Sequence, residues 1–552
     1  MLKKDNKKIL LLSMLLATFV VVLYGQFLWS PTFFDDGSFF TLDDAGRPHV
    51  LQFAVSFSPL VLRSLPYATL AWTAQIFGYD LIGFRIGNLL FHAATVVALF
   101  FFLLQLFEAV LPKDTVRPDG LKLRWFAFFA ALLFALHPVA VFAVGYLVQR
   151  TIVMATLFSL LAMYSYVRGS VRQNQGWLWA SVFFYYWAVY SKEHVVMLPV
   201  IMMTLGVLLH ENWCARIKRQ WPIFAAYMVI ALLVILAKKG VLGGVYEVNA
   251  PEMLQAVNHA DAYPFSVLTQ SWLFFKYGAL WLFPNPEWMS IDMREPFAKS
   301  YFSLYALAFA AFVVYGIAAV RLLLMRGMLG LLGFALLFPW LMFMTELSTV
   351  RIQESFVLYR SYVWAVGGAA LLPFIFWRVT ARGAVLMLSI FVAFVFMVAM
   401  ERLSTFSHPV LVWDDAEKLV KGRSDLPGIF RIYSNRGVRY LAINEFDKAI
   451  SDLKHSVELY PQQPYAFNYI GVAYAKKGEL DEAVRYFTIA IQLSESSNDP
   501  ATPRYYDARA ATYEEQKNWA AASADYKVTC KLVKKRCDKT NLPQPESSPK
   551  SQ

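Results

Sequence analysis

Long apolar runs separated by short polar connections fill the first 400 residues; after Glu401 the chain turns abruptly to charged, aromatic and alanine-rich sequence with helical periodicity. A helix needs about 20 predominantly apolar residues to cross a bilayer. Apolar segments fall near residues 9–29, 83–111, 125–144, 150–168, 177–190, 195–209, 221–237, 302–320, 328–346, 360–377 and 384–400, which predicts about 11 spans. The stretch 266–284 is apolar but carries Lys276, and a re-entrant or interfacial placement is expected for it. Residues 56–77, broken by Pro59, Arg63 and Pro66, are expected to lie along a membrane surface.

Composition supports a lipid-embedded chain: 58% of residues are hydrophobic, 16% aromatic and only 16% charged. A net charge of +12 would invite a nucleic-acid reading in a soluble protein. Here the basic residues crowd alternate connections: Lys113, Arg117, Lys122 and Arg124; Arg168 and Arg172; Arg216, Lys218 and Arg219; Arg321 and Arg326; Arg378 and Arg382. That alternation follows the positive-inside rule and argues against nucleic acid as a partner. The first run follows Lys3, Lys4, Lys7 and Lys8 without a small-residue cleavage site, so it reads as an uncleaved anchor with a cytoplasmic N-terminus. An odd number of spans then places everything after Glu401 on the opposite, periplasmic side.

Beyond a linker at 406–429, two stretches align at a 34-residue offset: Gly437 with Gly471, Tyr440 with Tyr474, Ala449 with Ala483, and Leu453 with Phe487. This is the small/large helix-pair pattern of tetratricopeptide repeats. A third, degenerate copy carries Tyr513, Ala522 and Tyr526 after an insertion around 497–500. The predicted repeats, about 430–463, 464–497 and 503–536, make an α-solenoid domain at 430–537 with a concave face for a peptide partner. A disordered tail is expected at 538–552. Cys214 falls in a cytoplasmic connection, while Cys530 and Cys537 fall in the outer domain. Those two can bridge only if the last helix breaks between them.

Within the membrane domain, 1–405, unusual polar residues gather on the predicted outer side. Asp35 and Asp36 stand just beyond the first span, where an ionised acid near hydrocarbon costs a few kcal/mol, roughly, unless it is paired, hydrated or useful. Arg85, Asn88 and His92 share one helix face, and His137 and Arg150 flank FALHPVAVFAVGYLVQR. Ser191, Lys192, Glu193 and His194 form a tight connection, and Glu346, Arg351, Glu354 and Arg360 follow near the end of a later span. Each has a structural alternative. The acid pair could be a solvated turn or a helix cap, His137 a cap, and Arg150 and Arg360 interfacial snorkelling residues. Lys192 with Glu193 could be a local ion pair, and the Arg85 face an interhelical hydrogen-bonding seam.

These motifs resemble those of a known family. FALHPVAVFAVGYLVQR is similar to the HP…V…Y…QR segment of the TMTC family, the transmembrane and tetratricopeptide-repeat O-mannosyltransferases, and of their bacterial relatives. FFDDG resembles the family's first-loop DD, FRIGNLLFHAATVVALF its second-span signature, YSKEHVVMLPV its SKE…LP segment, and SFVLYRSYVWAVG its EHRLYLP…G stretch. Motif order and the C-terminal repeats agree. Leu358 and Tyr359 stand where the family has an acid and a histidine, and Phe84 where a polar residue is common.

The resemblance implies a polytopic helical glycosyltransferase of the C superfamily with a lipid-phosphate sugar donor. It implies Asp36, with Asp35 beside it, as the catalytic acid of the first loop, and Arg150 and Arg360 as donor-phosphate contacts. Lys192 joins these as a third cation, with His92, His137, Glu193 and Glu354 as further candidates. No dinucleotide fingerprint, Walker loop or metal-ligand spacing is present, although a divalent cation beside the carboxylates is compatible with the acid pair. The expected activity is inverting transfer of a sugar from a polyprenyl phosphate to a Ser or Thr hydroxyl of an exported protein, such as a pilin, at a bacterial inner membrane. Two rivals are transfer to a glycan or lipid and a non-enzymatic envelope scaffold.

Overall fold

The computed structural model describes residues 2–34, 36–40, 48–111, 119–237, 261–423 and 425–541; Asp35, Lys113, Arg117 and 542–552 lie outside the described residues. The described chain is helical, and the β pairings among the described residues are isolated bridges of Gly120 with Thr380 and Met293 with Phe356. It forms two compact units, Met1–Pro409 and Val410–Gln552.

Among the described residues of the first unit, six helices are long and apolar enough to cross a membrane: Lys7–Phe27, Leu81–Val110, Leu147–Arg172, Leu304–Met325, Gly327–Leu347 and Ala381–Phe406. Two bent pairs, Leu123–Leu136 with Pro138–Val144 and Trp213–Arg219 with Trp221–Ala237, raise the number to eight if each is one span. Eleven spans is more than these helices support. The segments expected near 177–190, 195–209 and 360–377 form the shorter helices Gln175–Ser191, Leu198–Leu209, and Ser361–Ala369 followed by Leu372–Ile375. The stretch expected to be re-entrant is one unbroken helix, Ala262–Leu282, whose Lys276 pairs with Glu295.

Local chemistry sets these boundaries. The side chain of Asp80 accepts from the Ile82 amide at 3.0 Å and starts Leu81–Val110; Asn174 and Thr380 cap later helices in the same way. Pro138 forces His137 into an extended conformation, and the chain bends there by 62°. Helices Leu304–Met325 and Gly327–Leu347 meet backbone to backbone, because a side chain on Gly333 would begin 2.1 Å from the Leu323 nitrogen. The most apolar stretch of Leu147–Arg172 is 78% buried, against 22% for Ala381–Phe406, so the former runs through the core and the latter exposes most of its apolar surface.

The second unit opens with a helix, Leu411–Val420, in the stretch expected as linker. Three helical hairpins follow: Phe430–Ala442 with Phe446–Leu459, Pro464–Lys477 with Leu480–Ser496, and Thr502–Glu515 with Trp519–Val533. Gly437 and Gly471 sit at the closest approach within their hairpins, where a Cβ would lie 2.7 Å from Leu453 and from Phe487. In the third hairpin Ala510 takes that position beside Tyr526. Arg436 grips Asp452 through two bonds, 2.7 and 3.0 Å, and Arg509 grips Asp525 at 2.8 and 2.9 Å. The middle hairpin has Ile470 and Tyr486 at those register positions, an apolar pair in place of an ionic one. The final helix ends at Lys534 in the left-handed region, and that break allows the Cys530–Cys537 disulfide. Residues Cys537–Asn541, part of the expected tail, form a 3-10 turn held by Lys539 to Glu514 and by Arg536 to Asp507.

Candidate active site

The turn from Tyr146 to Arg150 organises the polar residues of the first unit. Helix Pro138–Val144 ends at Gly145, the chain extends at Tyr146, and the 3-10 turn Leu147–Gln149 leads into Arg150–Arg172. Amides at such a helix entry lack intrahelical acceptors. Asp36 supplies them: one carboxylate oxygen accepts from the Val148 amide at 2.9 Å, and the other from Leu147 at 3.2 Å and Phe33 at 3.4 Å. Asp36 is 1% exposed. Burial pushes its carboxyl up to about 7, against the opposing pull of the Val148 amide, the Arg85 guanidinium and the Leu147 amide. Beside it Phe39, Phe40, Val50, Leu70 and Phe84 leave room for about one water molecule.

Gln149, the next residue of the turn, accepts from the Lys192 ammonium at 2.7 Å, and Thr151 accepts from it at 3.4 Å. The same ammonium lies 4.7 Å over the Tyr359 ring, which packs against Tyr146 with centroids 6.1 Å apart. Lys192 is 4% exposed. Burial, reinforced by Arg63 and Arg360, lowers its pKa well below the ordinary range. Nearby, Glu346 accepts from Arg360 at 2.9 Å and stands 3.5 Å from Arg351 and 3.4 Å from His194. Arg360 also reaches Glu354 at 3.1 Å. Arg63, at φ 61, donates its backbone amide to the Tyr190 carbonyl and its guanidinium to both oxygens of Glu193.

Among the described residues, this cluster sets four cations (Arg63, Lys192, Arg351, Arg360) against three carboxylates (Glu193, Glu346, Glu354). Lys192 is the cation of this set whose donors go to neutral oxygens.

The structure therefore brings Lys192, Glu193, Glu354 and Arg360 together and connects them to Asp36 through one turn. Arg150 does not join them as the expected phosphate contact. Its guanidinium donates to Asn88 at 2.7 Å, to Thr69 and Thr73 at 3.3 Å each, and to the Phe84 carbonyl at 2.8 Å. These bonds tie Ser64–Phe77 and Leu81–Val110 to its own helix. His92 bonds the Tyr362 hydroxyl at 2.7 Å and the Ala135 carbonyl at 3.1 Å, well inside the helix core. His137 accepts from the Val139 amide at 3.3 Å as a helix cap and stacks on Trp281. Arg85 and Asn88 donate to the carbonyls of Ser30, Gly145, Val144 and Leu147, which is the interhelical seam their spacing allowed.

Sequence reasoning missed Arg63 and Gln149. An arginine inside the apolar stretch SPLVLRSLP was a signal for the first, and the QR pair of the HP…V…Y…QR segment was a signal for the second. Among the described residues, no group of three or more His, Cys, Asp or Glu is placed to hold a metal ion.

No protein-family model matches the chain, and no curated protein matches it. It is similar to a chain in a solved structure described as "Crystal structure of APC/C hetero-tetramer Cut9-Hcn1", at 12% identity over 88% of this chain and 84% of that one. The TM-score is 0.22, a likeness too slight to carry an argument about fold or function.

Proposed function

We propose that the chain is a membrane glycosyltransferase that moves a sugar from a polyprenyl-phosphate donor to a Ser or Thr hydroxyl of an exported protein on the periplasmic side. The observation that carries this reading is Lys192, a buried amine whose hydrogen bonds go to the neutral oxygens of Gln149 and Thr151, in the same cluster as Arg360 and joined to Asp36 through the Leu147–Gln149 turn. Burial disfavours the charged form of that amine, and a phosphate beside it would favour the ammonium. In the reaction, the acceptor oxygen bonds the anomeric carbon as the bond from that carbon to the phosphate oxygen breaks. The lipid phosphate leaves with the electron pair, and Asp36 takes the hydroxyl proton. Lys192 and Arg360 neutralise the charge growing on the phosphate. For Asp36 to meet a hydroxyl, the apolar wall of Phe39, Val50 and Leu70 must open. The Cys530–Cys537 disulfide supports an oxidising compartment for the repeats, and a repeat domain on the acceptor's side raises the local concentration of a protein substrate.

The test is transfer from a purified polyprenyl-phosphate sugar by enzyme in nanodiscs. Lys192→Met is expected to raise the donor KM about 10- to 100-fold, the worth of a hydrogen bond to a charged group. An unchanged donor KM in a folded variant would refute the phosphate role. A second reading, an envelope assembly scaffold, is favoured by the three amides that already occupy the Asp36 carboxylate. It predicts full complementation by Asp36→Asn.

A further inference from the structure

A second cationic site lies away from this cluster, where five elements of the first unit meet. The imidazole of His210, just past Leu198–Leu209, bonds the Ser170 hydroxyl of Arg150–Arg172 at 2.7 Å. A side chain on Gly206 would touch both Tyr166 and Ile217, which brings the short helix Trp213–Arg219 against the same place. Arg326 joins Leu304–Met325 to Gly327–Leu347 with φ 60, a conformation that costs a non-glycine residue about 1 kcal/mol or more. From there its guanidinium donates to the Val207 carbonyl at 3.3 and 3.4 Å. Burial lowers the His210 pKa, and the positive charges of Arg216 and Arg326 add to that shift.

Arg326 partly serves the exposed carbonyls at a helix end. That carbonyl occupies only its Nε and one terminal nitrogen, and no carboxylate pairs with it or with Arg216 among the described residues. Met203 on Leu198–Leu209 and Leu324 and Met325 on Leu304–Met325 are exposed apolar side chains on two of these helices. Cations without counter-ions, set at the end of a bundle beside exposed apolar surface, match a ligand with an anionic head and hydrocarbon tails.

We propose that Arg216 and Arg326, at the end of Leu198–Leu209, bind the phosphate of an anionic phospholipid at the basic face of the bundle. The site stands apart from the Asp36 and Lys192 cluster and holds whether or not the chain transfers sugar.

The test uses the full chain in nanodiscs of phosphatidylcholine with increasing phosphatidylglycerol, read by thermal unfolding and by lipid retained in native mass spectrometry. Phosphatidylglycerol is expected to raise the midpoint and to remain bound. Arg216→Gln with Arg326→Gln is expected to weaken retention about thirtyfold, from the typical worth of two cations at a lipid surface. Lys122→Gln with Arg382→Gln, equal in charge removed but at the starts of Leu123–Leu136 and Ala381–Phe406, is expected to retain lipid like the parent. Equal losses from both double variants would reduce the effect to diffuse charge and overturn the proposal. An equal midpoint shift from soluble glycerol phosphate would overturn the lipid as the source of the phosphate.

Discussion

Replacing Asp36 by asparagine separates a catalytic carboxylate from a structural one, because stability and activity then depend on pH in opposite directions. With a carboxyl near 7 in the folded chain and near about 3.9 unfolded, the native state keeps a proton that the unfolded state has lost. Stability is therefore greatest below about pH 4 and declines as pH rises through about 7, by a total of about 4 kcal/mol at about 1.36 kcal/mol per pH unit. The asparagine side chain does not titrate, so this decline disappears. It offers one acceptor oxygen where two now serve three amides, and an orphaned buried amide costs about 1–3 kcal/mol. Above about pH 7 the ionised carboxylate is the larger penalty, so the variant should be at least as stable as the parent at about pH 8 and less stable at about pH 5. Activity behaves otherwise. Base catalysis needs the ionised form, so the parent's transfer rate should rise with pH through about 7, while the variant loses about 100- to 10,000-fold at every pH. The assays are thermal unfolding and sugar transfer in nanodiscs from about pH 5 to 8. A variant that keeps more than about a tenth of parental activity, or a parent rate flat across that range, refutes the base assignment.

Two further outcomes test other parts of the structure. Arg436→Ile strands Asp452 and should destabilise the repeats by about 3 kcal/mol, whereas adding Asp452→Tyr, which copies the Ile470 and Tyr486 pair of the middle hairpin, should recover most of it; thermal unfolding of the two variants checks this, and a double variant no better than the single one contradicts it. In intact spheroplasts, Cys530 and Cys537 should react with an impermeant maleimide only after external reduction, and Cys214 only after permeabilisation; the reverse pattern would put the repeats in the cytosol.

Periodicity and spacing alone determined the helical class, the change of character after Glu401 and the hairpin repeats. Each of these depends on local pattern: apolar run length, a 34-residue offset, and small residues where two helices must touch, as at Gly437 and Gly471. The three- and four-residue spacing of Arg85, Asn88 and His92 likewise revealed a shared face, and that face is the seam the structure contains. What the polar residues do was decided by contacts between residues far apart in the chain. Arg150 and Arg360 look alike in sequence, yet one is held by neutral oxygens of two neighbouring helices and the other by Glu346 and Glu354. Asp36 meets its amides 111 and 112 positions away. Only packing brings the Leu147–Gln149 turn to that carboxylate and Gln149 to Lys192. A hydrogen bond acts over about 3 Å, and separation along the chain does not record which groups come that close.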